Sequence, residues 1–216
     1  MTAVERPDPG RPDGRAAQDY DQAYFDHWYR DEGFDSPMHL ARRVGFGVAA
    51  AEYLLGRPVR SVLDVGCGEG PWQPVLAELR PAASYLGIDP SAYAVARYGA
   101  QRNLRQGSFG QLDQALAPDE GPFDLIVCVD VMGYVADAEL PAGLVAIAQR
   151  LGGVALLEVF TTDDDFEGDV EHYRRRSPAR YRRWFDDAGL ARIGPNLFIG
   201  TAIATTLSTF ESPLAT

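Results

Sequence analysis

The chain has 216 residues, 46% hydrophobic and 11% aromatic, enough for a single domain with a sizeable core. Its formal charge of −11, with arginine supplying all 20 basic residues, argues against a duplex or tRNA substrate, because such binding leans on phosphate neutralisation. Cys67 and Cys128 cannot make a disulfide framework and no apolar run reaches membrane-span length, so a reduced, cytoplasmic protein that binds neither nucleic acid nor membrane is expected.

Residues 1–17 are rich in Pro, Gly and charge and lack the hydrophobic segment of a signal peptide, which predicts a disordered tail. Tyr20, Tyr24 and Trp28 recur at i, i+4 and i+8, the spacing of one aromatic stripe on a helix. A second helix runs from about Met38 to Leu55 and ends at Gly56, before Pro58. Neither precedes a strand of its own, so residues 18–57 are expected to form a helical cover or lid over a core of residues 58–216.

That core alternates strand and helix. Strands are expected at 60–65, 85–89, 103–106, 123–131, 154–160 and 191–193, with helices at 71–79, from Ser91 through Tyr98, from Asp137 to Gln149 and from Ser177-Pro178 to Ala188. The segment 197–210 reads as a last strand on its β-branched composition, with a short helix as the alternative. The rhythm calls for an α/β fold: a doubly wound, mostly parallel seven-stranded Rossmann-like sheet with helices on both faces.

The first strand carries the informative motif. Val62-Leu63-Asp64-Val65 runs into Gly66-Cys67-Gly68-Glu69-Gly70, then Pro71. Glycine at alternate positions lets a ligand approach the backbone, and Pro71 suits a helix start. A dinucleotide fingerprint would need its third glycine at position 71, which is proline. Asp89, about 25 positions past Asp64, ends the second strand where a carboxylate can take both ribose hydroxyls of an adenosine.

In this order and spacing, the motifs over Ser61 to Phe160 resemble those of class I S-adenosylmethionine (SAM)-dependent methyltransferases of the small-molecule type. The resemblance implies SAM as cofactor and S-adenosylhomocysteine as product. It implies cofactor binding by Asp64 toward the methionyl ammonium, by Gly66, Cys67 and Gly68 at the turn, and by Asp89 at the ribose. Pro90, Ser108 and Phe109 would meet the adenine, and Phe123 to Val131 resembles the family's fourth motif, with Asp130 on the methionine and substrate side. Tyr24 joins this set from the aromatic helix. Two departures stand out: Ser108 replaces a frequent acidic residue, and the text Val131-Met132-Gly133-Tyr134-Val135 lacks the histidine or glutamate often found near position 133.

On the acceptor side, Tyr134 and His172 are the candidate catalytic residues. Asp163-Asp164-Asp165, with Glu167, Asp169 and Glu171 beyond, reads as a solvated acidic loop balanced by Arg174-Arg175-Arg176. Asp130 with Asp163 or Asp164 could imitate the Mg²⁺ site of catechol-type methyltransferases, yet that family's adjacent Asp-Asn pair is absent, and no metal is expected. The expected activity is methyl transfer to an oxygen or nitrogen of a small-molecule acceptor. Rivals are a non-methylating SAM enzyme of this fold, an NAD-dependent oxidoreductase, a protein or RNA methyltransferase, and a non-catalytic SAM-binding protein. The sequence leaves a homodimer open.

Overall fold

The structure, a computed structural model, describes residues 20–31, 36–165, 169–170 and 172–207; the tail expected over 1–17 lies outside them. The N-terminal aromatic segment begins as a short helix, α1 (Gln22–Phe25), capped by Asp21, and continues as a π-helical turn over Asp26–Asp31. The expected regular helix is therefore broken after one turn. Helix α2 (Pro37–Leu55) starts at Pro37 behind Ser36, whose hydroxyl accepts from the His39 amide, and stops at Gly56 in the left-handed region. Val44, Val48 and Ala51 recur on its buried face.

The core comprises β1 (Ser61–Val65), α3 (Trp72–Leu79), β2 (Ser84–Asp89), α4 (Ala92–Arg102), β3 (Leu104–Gln106), a 3₁₀ turn at Phe109–Gln111, α5 (Leu112–Ala115), β4 (Phe123–Val129), α6 (Leu140–Arg150), β5 (Leu151–Glu158), α7 (Pro178–Asp187), β6 (Leu190–Gly194), β7 (Leu197–Gly200) and α8 (Thr201–Ala204). The sheet order is β3-β2-β1-β4-β5-β7-β6. β1 to β5 pair in parallel, while β7 runs antiparallel to β5 and β6. This is a seven-stranded, mostly parallel, Rossmann-like α/β sheet. Alternation along the strands splits the core: Leu63, Ile88, Ile126 and Leu157 face α5, α6 and α7, while Val62, Leu125, Val154 and Leu156 face α2, α3 and α8.

Several boundaries differ from expectation for identifiable reasons. β4 ends at Val129, not Val131, because Asp130 takes a positive φ of 58° and turns the chain. Asp137 does not cap α6; that helix starts at Leu140, and Asp137 instead pairs with Arg176 and Arg180. The helix after Ser91 continues past Tyr98 to Arg102. β5 begins at Leu151 directly after α6. The segment expected as a strand over 197–210 is a four-residue strand followed by α8, and residues 208–210 fall outside the described part.

Candidate active site

The carboxyl ends of β1, β2 and β4 meet at the switch point of the sheet, where open α/β folds hold ligands. The glycine turn crosses the end of β2: the amides of Gly66 and Cys67 both donate to the Ile88 carbonyl, at 2.7 and 3.2 Å. Gly66 has φ of 75°, and a Cβ there would lie 2.2 Å from Val131 Cγ2, so only glycine fits. Asp89 locks the turn from the other side. Its Oδ2 accepts from the Gly68 amide at 2.7 Å and its Oδ1 from the Ser91 amide at 2.9 Å, leaving lone pairs on both oxygens for a ligand.

These elements enclose a cavity of about 490 Å³, a size suited to a nucleoside cofactor with part of an acceptor. Asp64, Gly66, Cys67 and Gly68 line its floor. Asp89, Pro90, Ser108 and Phe109 line one end, and Asp130 and Tyr134 the other. Tyr24 lies on the wall contributed by the N-terminal segment. His172 is not on the wall. It lies behind Asp169, its Nδ1 3.2 Å from each carboxylate oxygen.

Electrostatics distinguish these groups. Asp64 is buried, and that burial pushes its carboxyl up to about 7; the Tyr85 hydroxyl, donating at 2.7 Å, opposes the shift, and the charge on Asp89 adds to it. A buried carboxylate of this kind calls for a cationic ligand group. Burial also raises Asp89, against the two amides that favour its charged form. Tyr134 is raised well above the ordinary phenol range by burial, so at neutral pH it keeps its proton and can orient a ligand but not act as a base. Cys67 and Cys128 are buried, and burial pushes both thiols up, as inert small residues require.

The N-terminal segment forms part of the cavity wall. Tyr20, Tyr24, Trp28 and Tyr29 reach its wall, Phe25 is buried beneath them, and the Tyr29 hydroxyl lies over Gly68. Two contacts pin this cover to the core: Ser91 donates to the Tyr20 carbonyl at 2.6 Å, and Arg30 pairs with Glu69 of the glycine turn at 2.9 Å. The π-helical turn changes the register after Asp26, yet Trp28 stays on the cavity wall with Tyr20 and Tyr24.

Gly133 has a structural explanation. A Cβ there would lie 2.0 Å from Tyr173 Cζ, because the Tyr173 ring fills the space a larger side chain would need. Tyr173 is anchored through its hydroxyl to the amide and carbonyl of Phe160, at 2.9 and 3.0 Å, and it meets Tyr134 edge-on at 5.0 Å. Beneath this pair, the buried Arg176 donates to the carbonyls of Met132 and Val135, the Tyr181 hydroxyl and Asp137. Arg176 thus ties the loop after β4 to the segment before α7, rather than balancing an acidic surface.

Sequence reasoning also missed wall residues that sit far apart in the chain. Glu139 lies beside Gly110 at the Ser108–Phe109 end, and Arg43 of α2 reaches the wall while pairing with Glu158 at 3.3 Å. Asp169 is the main correction to the solvated-loop expectation: it is only 8% exposed and faces the cavity. Glu167 and Glu171 lie outside the described residues. Asp163 and Asp164 line a separate cleft between the end of β5 and α7, whereas Asp130 lines the cavity described above. Among the described residues, no helix is long and apolar enough to cross a membrane.

Comparison with known proteins fits this arrangement. A family model described as a methyltransferase domain matches residues 39–206. A ubiquinone biosynthesis O-methyltransferase of Alkalilimnicola ehrlichii is 32% identical over 147 residues, covering 63% of this chain and 56% of that protein. Aligned parts span 31% of one curated relative and 48% of others, so the chain spans about half or less of their length. Among solved structures, the sugar N-methyltransferase KedS8 of Streptoalloteichus shares the fold with a TM-score of 0.61 and 18% identity, over 93% of this chain and 98% of that one. Magnesium protoporphyrin IX methyltransferase of Synechocystis, determined with bound SAM, shares it with a TM-score of 0.54 and 22% identity, over 83% and 91%.

Proposed function

The chain belongs to the methyltransferase-domain family, and from that premise we propose that it transfers a methyl group from SAM to a small-molecule acceptor. The observation that carries this reading is the pair Asp64 and Asp89, buried at the ends of adjacent parallel strands on either side of the glycine turn and facing one cavity. When bound, SAM supplies a methyl on a positively charged sulfur with a built-in leaving group. Asp64 meets the methionyl ammonium, and Asp89 takes the ribose hydroxyls through its remaining lone pairs. Ser108, Phe109 and Pro90 hold the adenine, with Glu139 on the same side, and Asp130 lies toward the methionyl end.

The rest of the chemistry is alignment and exclusion of water, because an in-line displacement from a sulfonium gains most from holding the acceptor on axis. Tyr24, Trp28 and Tyr29 cover part of the cavity and so limit the access of water. Tyr134, protonated, orients the acceptor by hydrogen bonding, and His172 acts through Asp169. The relatives' names point to small acceptors, and the net charge of −11 speaks against nucleic acid. Two free buried thiols support a reducing, cytoplasmic setting.

Calorimetric titration with SAM, S-adenosylhomocysteine and NAD tests the proposal. Micromolar binding of the first two without NAD is expected. Binding of NAD alone would replace this reading with a dehydrogenase one.

A further inference from the structure

We infer that the acceptor is a basic nitrogen, an amine, selected by Asp169 together with Tyr20, Tyr24 and Tyr134. The inference deepens the methyltransferase proposal above and rests on it.

The charges around the cavity come first. Five carboxylates line it, Asp64, Asp89, Asp130, Glu139 and Asp169, against one guanidinium, Arg43, which is paired with Glu158. In the cofactor reading Asp64 takes the ammonium, Asp89 the ribose, and Glu139 the adenine end beside Gly110. Asp169 has no such use. It follows β5, which lies beyond β4 from the cofactor strands, and it lines the same cavity close enough to Tyr20, Tyr24 and Tyr134 to act on their phenols. A carboxylate that is only 8% exposed and faces a cavity favours a cationic ligand there. Its partner His172, half-buried, lies 3.2 Å from both carboxylate oxygens through Nδ1 and steadies the carboxylate.

The rings around Asp169 suit the same ligand. Tyr20 and Tyr24 meet edge to face at 5.1 Å, Tyr134 is braced by Tyr173 at 5.0 Å, and all three phenols line the wall. Burial, aided by Asp89 and Asp169, pushes Tyr20 up to about 12, and Tyr24 and Tyr134 are raised too, so the rings stay neutral. Neutral rings beside a carboxylate attract an ammonium, while the carboxylate itself repels an anion. A phenol acceptor, by contrast, must approach as phenolate, and Asp169 would resist its ionisation.

The reaction itself has the same polarity. The bound ammonium first gives one N–H proton to water, and the lone pair of the amine so formed makes the N–CH₃ bond while the S–CH₃ bond breaks and its electron pair stays on sulfur, leaving S-adenosylhomocysteine. Positive charge moves from sulfur to nitrogen, and the product leaves as a methylated ammonium whose charge Asp169 stabilises.

The test uses the protein saturated with S-adenosylhomocysteine and three probes of similar shape: 2-phenylethylamine, 2-phenylethanol and 3-phenylpropanoate, titrated by tryptophan fluorescence and calorimetry. We expect the amine to bind at least about tenfold more tightly than the alcohol, and the carboxylate to bind more weakly than both. Asp169→Asn should erase the amine preference while leaving S-adenosylhomocysteine affinity within about twofold, and Asp169→Glu should restore part of it. Equal binding of amine and alcohol, a preference that survives Asp169→Asn, or no amine binding up to about 10 mM would overturn the inference while leaving the methyltransferase reading intact. Failure to bind S-adenosylhomocysteine at all would instead overturn both.

Discussion

With the proposed role of Asp64, cofactor binding should depend on pH in a way that can be calculated. Its carboxyl, enclosed by Tyr85, Cys67 and the charge of Asp89, titrates at about 7 instead of 3.8. In the proposed reading the methionyl ammonium needs the ionised form, so binding SAM should release a proton below that pH. At about pH 6 roughly one-tenth of Asp64 is ionised, so SAM affinity should lie about tenfold below its plateau, and about thirtyfold below it at about pH 5.5. Calorimetry across about pH 5.5–7.5, below the range where the SAM amine itself titrates, measures both the affinity and the proton release through buffer ionisation heats. Asp64→Asn, which keeps an acceptor for the Tyr85 hydroxyl, should bind SAM weakly and flatten the profile. The same residue shapes stability. The folded state keeps this proton where the unfolded chain has lost it, so stability falls as pH rises from about 4 to about 7, by about 4 kcal/mol over the whole window, and is flat above. A pH-independent SAM affinity, or a slope preserved in Asp64→Asn, would refute the reasoning.

The remaining expectations concern the frame around the site. Asp89→Ala removes the acceptor for two turn amides and for the ribose, and should weaken SAM binding by about thirtyfold or more in calorimetry. Gly133→Ala drives a methyl into Tyr173 and should cost about 1–3 kcal/mol in denaturant unfolding, with part recovered by adding Tyr173→Ala. Arg176→Ala leaves buried carbonyls and the Tyr181 hydroxyl without their donor; a loss of about 3–5 kcal/mol is expected in the same assay, and Arg176→Lys should not rescue it because lysine lacks the planar fork.

Local signals made much of this legible from sequence. The glycine turn, Asp64 and Asp89 lie on one strand–turn–helix–strand unit, so spacing alone places them together. β4 reads as an apolar run because both of its faces are covered. The misses share a cause: they depend on chain segments meeting in space. Asp169 looks like one acidic residue in a charged loop, yet it is buried in the cavity wall near Tyr20, Tyr24 and Tyr134. Gly133 looks like a lost catalytic residue until Tyr173, some 40 positions later, is seen to fill its space. Arg176 sits in a run of three arginines whose pattern says surface, yet its five-donor fork is consumed inside the protein. Asp137 reads as a cap by residue type, but pairing with Arg176 and Arg180 competes for it, and α6 starts three residues later.

The most direct test of the account is a crystal structure of the complex with S-adenosylhomocysteine. The ribose hydroxyls should lie within about 3.2 Å of the Asp89 carboxylate and the ammonium within the same reach of Asp64, under the Tyr24–Trp28–Tyr29 cover. A nucleoside seated instead in the cleft between β5 and α7, or a ribose away from Asp89, would contradict it.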